Sequence, residues 1–386
     1  MANEIGVGMV GYKFMGRAHS NAYRQAAAFF PDLPLLPAMR AICGRDAAGV
    51  AAAAQQLGWQ SYETDWRTLI ARDDIGVVDV STPGDSHAEI AIAAAEAGKH
   101  VYCEKPLANT LDEARAMVAA VEKAGVINFV NFNYRRVPAV QFARQLIDQG
   151  YVGDIRHWRA VYLQDWIVDP QFPLVWRLQK ELTGSGALGD IGAHIIDLAR
   201  FLVGDISEVN GLLNTFIKER PVLGASDGGL GATGGSAMGQ VTVDDAAIVL
   251  AKFTNGAIGT FEASRFATGR KNYNSFEING SKGSICFNLE RLNEIQVYTR
   301  EEDSAIQGWK TILVTEGNHP FAGAWWPAGH IIGWEHSHTH SVVDLMKGIA
   351  EGKSPEPTFA DALKVQALLD AVEHSSTNGG WVKPEA

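Results

Sequence analysis

The chain has 386 residues, 46% of them hydrophobic and 20% charged, and a formal net charge of −11. Such a length divides more naturally into two domains than one, each large enough to bury a core without a disulfide or a structural metal. The acidic balance argues against nucleic acid or an anionic membrane as partner, because both demand a basic face.

Strand and helix alternate through the first third. An apolar strand at 5–10 runs into a turn at 11–16 and a helix at 17–29 whose apolar face is set largely by alanines. A second strand at 39–43 precedes an alanine-rich helix ending at Leu57, and a third at 77–80 precedes a helix at 87–97. Strands at 100–103 and 127–131 flank a helix at 111–124. Strands separated by helical stretches of about 10–15 residues imply parallel crossovers and a doubly wound α/β sheet of Rossmann type.

The rhythm changes after Tyr134. A helix at 140–149 leads to strand-like runs at 155–163, 209–216, 245–253, 257–264, 274–280, 283–288 and 294–298. Short turns such as Thr254-Asn255-Gly256 join several of them, which predicts a second, α+β domain with a mostly antiparallel sheet. The boundary is expected near 130, giving domains 1–130 and 131–386. The glycine-rich stretch 221–240 reads as a flexible excursion between strands, and a last helix at 359–374 is expected to pack back on the first domain. Cys43, Cys103 and Cys286 lie far apart without CxxC spacing, and the N-terminus lacks a basic leader. No apolar run reaches the roughly 18 residues of a membrane span. A reducing, cytoplasmic setting is expected.

The stretch Val101-Tyr102-Cys103-Glu104-Lys105-Pro106-Leu107 places a lysine where an apolar strand ends. The following proline keeps Lys105 out of the helical region, on the rim of the sheet where open α/β folds bind ligands. The turn Gly11-Tyr12-Lys13-Phe14-Met15-Gly16 stands between the first strand and first helix, the place that cradles a dinucleotide pyrophosphate. Lys13 replaces the middle glycine of the usual fingerprint and adds positive charge there. At the end of the second strand, Gly44 and Arg45 occupy the place of the acid that usually binds the ribose of NAD. That pattern leans slightly to NADP over NAD, although Asp46 could still serve NAD. Ser81-Thr82-Pro83, with His87 opening the next helix, offers hydroxyls and amides suited to a phosphate or the nicotinamide ribose.

In the second half, Asp190, His194 and Asp197 follow a glycine-rich approach at i, i+4 and i+7, on one face of a predicted helix. A histidine near neutral pKa suits removal of a hydroxyl proton. Equally ordinary is a capping Asp190 with His194 in the core. His336, His338 and His340 alternate and, on an extended segment, could bind zinc together with Asp190 and His194, but a polar lead into the next helix is the plainer reading, so no metal is expected. Aromatics gather at Tyr151, Trp158, Tyr162, Trp166, Phe172 and Trp176, interleaved with Gln164, Asp165 and Arg177, a mixture suited to a sugar or cyclitol ring.

The glycine turn, Ser81-Thr82-Pro83 with His87, Glu104-Lys105-Pro106 and Asp190 with His194, in this order, resemble the glucose–fructose oxidoreductase / inositol dehydrogenase / MocA family. Asn131 to Arg136, Tyr162 to Trp166, Trp176-Arg177 and 184–190 are similar to its levoglucosan dehydrogenase-like sugar dehydrogenases. The resemblance covers nearly the whole chain. It implies a large open C-terminal sheet that often forms an oligomer interface, hence a homodimer or homotetramer. It also implies NAD(P)-dependent oxidation of a ring hydroxyl of a sugar, anhydrosugar or cyclitol to a ketone. Carried over, Lys105, Asp190 and His194 are expected to be catalytic, and Tyr134, Gln164, Trp166 and Arg177 to touch substrate along with Asp190 and His194. Gly11, Lys13, Phe14, Met15, Gly16, Gly44, Arg45, Ser81, Thr82, Pro83, His87, Glu104 and Lys105 are expected around the cofactor. An alternative within the same fold is a glycosidase that oxidises, eliminates and re-reduces with no net redox change.

Overall fold

The computed structural model describes residues 3–224 and 233–386. The chain forms two compact units, one of Met1–Val137, Ala324–Trp326 and Ile332–Leu363, the other of Pro138–Gly323, Pro327–Ile331 and Lys364–Ala386. The first run of this partition ends seven residues after the boundary expected near 130, and residues 332–363 return to the first unit.

The first unit runs β1 (Asn3–Val10), α1 (Phe14–Phe29), β2 (Leu35–Cys43), α2 (Ala47–Leu57), β3 (Ser61–Glu63), α3 (Trp66–Ile70), β4 (Val77–Val80), α4 (His87–Glu96), β5 (His100–Cys103), α5 (Leu111–Ala124) and β6 (Asn128–Val130). All six strands are parallel, in the order β3-β2-β1-β4-β5-β6. Strand order reverses between β1 and β4, so the carboxyl ends there form the binding edge of such a sheet. Strand β2 starts before the apolar run at 39 and contains Pro37. It is tolerated because β3 pairs only with Ala41, Ile42 and Cys43, leaving the proline off that ladder. Short β3 and α3 carry too little periodicity to be read from sequence. Asp65 caps α3 by accepting the Arg67 N–H at 3.0 Å. Helix α5 starts in a capping box, Thr110 Oγ1 accepting from Glu113 N at 3.2 Å and Glu113 Oε2 from Thr110 N at 3.0 Å.

The second unit contains α6 (Pro138–Asp148), β7 (Ile155–Leu163), α7 (Lys180–Thr183), α8 (Ala193–Leu202), β8 (Ile206–Asn214), β9 (Glu219–Leu223), β10 (Gly234–Gln240), β11 (Ala246–Phe253), β12 (Ile258–Ser264), β13 (Tyr273–Gly280), β14 (Gly283–Asn288), β15 (Glu294–Thr299) and β16 (Lys310–Leu313). Eight strands form a sheet ordered β16-β15-β14-β13-β7-β12-β11-β8, antiparallel except for β7 against β12. Its inner face is built on Trp158, Phe276 and Phe287, with Trp158 stacked on Phe276 at 5.1 Å. Its outer face leaves Leu212, Ile248, Leu250 and Ile258 exposed.

Glycine-rich 221–240 is not simply a flexible excursion: β9 and β10 pair antiparallel, and residues 225–232 lie outside the described residues. Backbone pairing needs no side chain, and missing ones leave room here. A Cβ at Gly234 would lie 2.5 Å from Pro221, and one at Gly239 2.7 Å from Leu174.

Two long helices close the chain, α9 (Glu335–Glu351) and α10 (Phe359–Asn378). Within the first unit α9 lies along α1, with Trp334 just before it stacked on Phe14 at 5.7 Å and Thr339 Oγ1 donating to Gln25 at 3.0 Å. The start of α10 is tied to β6 by Phe359 N donating to Asn128 Oδ1 at 2.8 Å.

Candidate active site

The exit of β1 fits a pyrophosphate. Gly11 has φ +110°, and a Cβ there would lie 2.6 Å from Ser81 O; one at Gly16 would lie 2.3 Å from Gly11 O. Only glycines allow this close approach. The N–H groups of Phe14, Met15 and Gly16 open a 16-residue helix without carbonyls one turn back, which makes them donors for an anion. Lys13 is exposed, its Nζ 5.4 Å from the Tyr12 ring centroid. At the end of β2 a Cβ on Gly44 would meet Tyr12 ring atoms at 2.3 and 2.4 Å, so no acidic side chain fits there. Arg45 and Asp46 follow, both exposed.

Ser81 and Thr82 lie half-buried at the exit of β4, beside exposed Pro83. His87 and Glu104, expected around the cofactor, both make hydrogen bonds within the protein. His87 is buried, with Nε2 2.9 Å from Thr82 O and Nδ1 3.0 Å from Pro106 O. Both ring nitrogens are spent stitching the β4 exit to the segment after Lys105. Glu104 turns inward, its Oε1 2.9 Å from His19 Nε2 and its Oε2 accepting the Lys105 N–H at 3.2 Å. Burial opposes its charge, but His19 overrides it and holds the carboxyl down at about 2. Lys105 itself is half-buried at the rim, as its position before Pro106 predicts. Tyr134 is buried in a short turn after β6, in this same unit.

The second unit gathers most of the other expected groups. Asp190 and His194 do not share one regular helix. Leu188–Gly192 form a π-helical turn, and α8 begins at Ala193. Such widened turns recur at functional sites because they re-aim side chains. The Asp244 carboxylate, not Asp190, caps this turn by accepting from Gly186 N at 2.6 Å and Leu188 N at 2.8 Å. Asp190 is partly exposed and faces the buried Arg265 guanidinium at 3.7 Å. His194 is buried against the Tyr162 ring, centroids 5.9 Å apart.

Asn272 Oδ1 accepts from Tyr162 Oη and from Gln164 Nε2, both at 2.8 Å, and Gln164 Oε1 accepts from Trp166 Nε1 at 3.0 Å. Arg265 lies over Trp166 at 5.6 Å, and Arg177 over Trp176 at 4.3 Å. Burial lowers the Arg177 pKa. Sequence reasoning missed Asp244, Arg265 and Asn272, whose partners are distant in the chain. Only the Asp244-Asp245 pair at the start of a strand hinted at a buried carboxylate.

The alternating histidines are helical, not extended. His340 donates from Nδ1 to Arg136 O at 2.8 Å and accepts from Trp325 Nε1 at 2.8 Å. His336 packs on the same Trp325 at 4.4 Å. His338 points to the other side, its Nδ1 2.9 Å from the Asn131 amide nitrogen. Alternation on a helix sends neighbours apart, so the three do not converge.

A Rossmann sheet with a glycine cradle and helix N-terminus at its switch point, followed by an open mixed-sheet unit, defines a dinucleotide-dependent oxidoreductase. The model of the oxidoreductase family with NAD-binding Rossmann fold matches residues 5–132, and that of the GFO/IDH/MocA C-terminal domain matches 140–286. Levoglucosan dehydrogenase of Pseudarthrobacter phenanthrenivorans is 45% identical over 381 residues, 98% of this chain and 97% of that one. A solved oxidoreductase domain protein from Kribbella flavida superposes with TM-score 0.94 at 57% identity, covering 100% of both chains. A levoglucosan dehydrogenase solved with NADH and levoglucosan gives TM-score 0.94 at 44% identity, covering 99% of this chain and 100% of that one. The chain belongs to the GFO/IDH/MocA family of NAD-binding oxidoreductases.

Proposed function

We propose that the protein oxidises a ring hydroxyl of a sugar, anhydrosugar or cyclitol to a ketone, with the levoglucosan type of anhydrosugar as the leading class. The observation that carries this reading is the chain Tyr162–Asn272–Gln164–Trp166 in the second unit, an aromatic wall with a fixed hydrogen-bonding edge. Sugar rings present the matching pair of surfaces, C–H faces and hydroxyl rims. Levoglucosan dehydrogenase, at 45% identity over nearly the whole chain, supports the same class.

The proposed roles divide as follows. His194 takes the hydroxyl proton, and Lys105 steadies charge developing on that oxygen. Asp190, paired with Arg265, orients a neighbouring hydroxyl, and Gln164, Trp166, Arg177 and Tyr134 contact the substrate. NAD, when bound, supplies the hydride acceptor. Residues 1–130 supply the nucleotide-binding role and the part after 131 the substrate role. The cofactor proposed is NAD over NADP: the NADH complex of the 44%-identical structure supports it, and exposed Asp46 offers a carboxylate one helix cap beyond blocked Gly44. Glu104 and His87 support the cofactor rim through their buried hydrogen bonds.

The proposed setting is the cytoplasm, in keeping with cysteines that are all free; among the described residues no helix is long and apolar enough to cross a membrane. The exposed Leu212, Ile248, Leu250 and Ile258 support a homo-oligomer formed through the outer face of the sheet.

The test is to mix the protein with excess NAD or NADP and a panel of anhydrosugars, monosaccharides and inositols, and follow reduced cofactor by absorbance. Net reduction with an anhydrosugar is expected. Cleavage of a glycoside without net reduction would instead establish the glycosidase reading, and turnover of none of these classes would end the proposal.

A further inference from the structure

A buried cluster of charge in the first unit is left unused by this chemistry. His19, on α1, is 0% exposed. Its Nδ1 lies 2.9 Å from Asp79 Oδ2, and its Nε2 lies 2.9 Å from Glu104 Oε1. Ionised carboxylates only accept, so beside two of them both ring nitrogens donate and the ring is an imidazolium, with the Asn131 amide nitrogen also 2.9 Å from Nε2.

Every element packed around it contributes. Asp79, at the end of β4, also accepts from Tyr23 Oη at 2.7 Å and Ser81 Oγ at 2.8 Å. Glu104, just after β5, also accepts from the Asn131 amide and from Lys105 N. Tyr102 of β5 stacks on the His19 ring at 5.0 Å and feels Arg136 beyond it. The His338 ring of α9 stands 5.5 Å from that of His19. Burial and the neighbouring His19 charge keep His338 neutral, its pKa lowered to about 3. Burial opposes charge on His19, but Asp79 and Glu104 outweigh it and raise its pKa to about 10.

His19, Glu104 and His338 bring ligand atoms within 4.8 Å of one another, the size of a metal site. It is not a cage for a cation. Both His19 nitrogens already donate, Asn131 lies against His338 Nδ1, and an imidazolium repels a metal.

We propose that His19 is a positioning residue for the redox step: as a fixed cation it draws Glu104 to the β4 exit and so sets the main chain of Lys105. The inference rests on the proposed role of Lys105 at the substrate oxygen. One helix, through one ring, thereby ties the exits of β4 and β5, and Asn131 adds that of β6.

Two measurements test it. In the long-range proton–nitrogen spectrum of the wild-type histidines, one of the 11 imidazoles is expected to stay doubly protonated at pH 9; finding none overturns the proposal. In kinetics, H19Q is expected to lower kcat at least tenfold while KM for sugar and affinity for NADH move less than threefold. Adding E104Q to H19Q removes the carboxylate left without its cation, and should restore part of kcat, which a merely structural role would not produce. K105A separates the two ideas. An inactive K105A beside a fully active H19Q sinks the positioning role alone, whereas an active K105A sinks the reading of Lys105 on which it stands.

Discussion

Asp244 Oδ1 accepts the main-chain N–H of Gly186 at 2.6 Å, a contact between a strand entrance and the turn that presents Asp190. A Cβ at 186 would lie 1.8 Å from Asp244 O, so the pair admits glycine alone. The same carboxylate holds Leu188 N at 2.8 Å. Burial raises its pKa, against the pull of Arg265 and the two amides.

Removing that carboxylate leaves two buried N–H groups without an acceptor. Asp244→Ala is therefore expected to lose about 2–5 kcal/mol of stability. Urea unfolding with an unchanged slope checks it; a loss below 1 kcal/mol (roughly one ordinary hydrogen bond) would show that the turn holds itself.

The proposed reaction makes separate demands on two residues. Lys105→Ala is expected to cut kcat by roughly 10²–10³, the cost of one donor to a developing oxyanion. His194→Asn should cut it by about 10²–10⁴, the contribution of a positioned base. NADH titration by fluorescence should show both variants binding cofactor within a few fold of wild type. Near-normal turnover in either one removes that residue from the mechanism.

The proposed preference for NAD is tested at Asp46. If its carboxylate bonds the ribose, Asp46→Ala loses a charged hydrogen bond, roughly ten- to hundredfold in kcat/KM for NAD. Activity with NADP should change far less. Equal losses with both cofactors would contradict this assignment.

Stability should follow pH through His19 and Glu104. The His19 pKa rises in the fold to about 10, so its stabilisation is complete below its ordinary value of 6.5 and fades as pH climbs to 10. Glu104 falls to about 2, so its stabilisation is present above 4.5 and fades as pH drops toward 2. Burial holds His338 and His340 down at about 3, so their contribution is lost as pH falls below 6.5, and the melting temperature should peak near pH 6.5 and decline on both sides. A melting temperature that keeps rising from pH 7 to 10 would contradict the alkaline arm.

Much of this was legible in the chain because it depends on local pattern. The parallel half follows from apolar runs spaced by alanine helices, and the antiparallel half from hairpin turns such as Thr254-Asn255-Gly256. The glycine cradle was readable for the same reason, since Gly11 and Gly16 mark a close approach within one turn. What escaped depends on partners far along the chain. The inward turn of Glu104 is set by His19, and that of His87 by carbonyls on two other loops. The π-turn at Leu188–Gly192 is set by Asp244. Alternation of His336, His338 and His340 gave no sign of α9, because a helix of mixed polarity has no period to show.

The return of α9 to the first unit bears on how the molecule is made. Trp334, His338 and His340 cover α1, yet they leave the ribosome some three hundred residues after β1. A nascent chain carrying only β1 through β6 has its sheet but not its lid over Phe14 and Phe30. The nucleotide-binding half therefore completes its packing only once residues 334–340 have been made, long after its own strands.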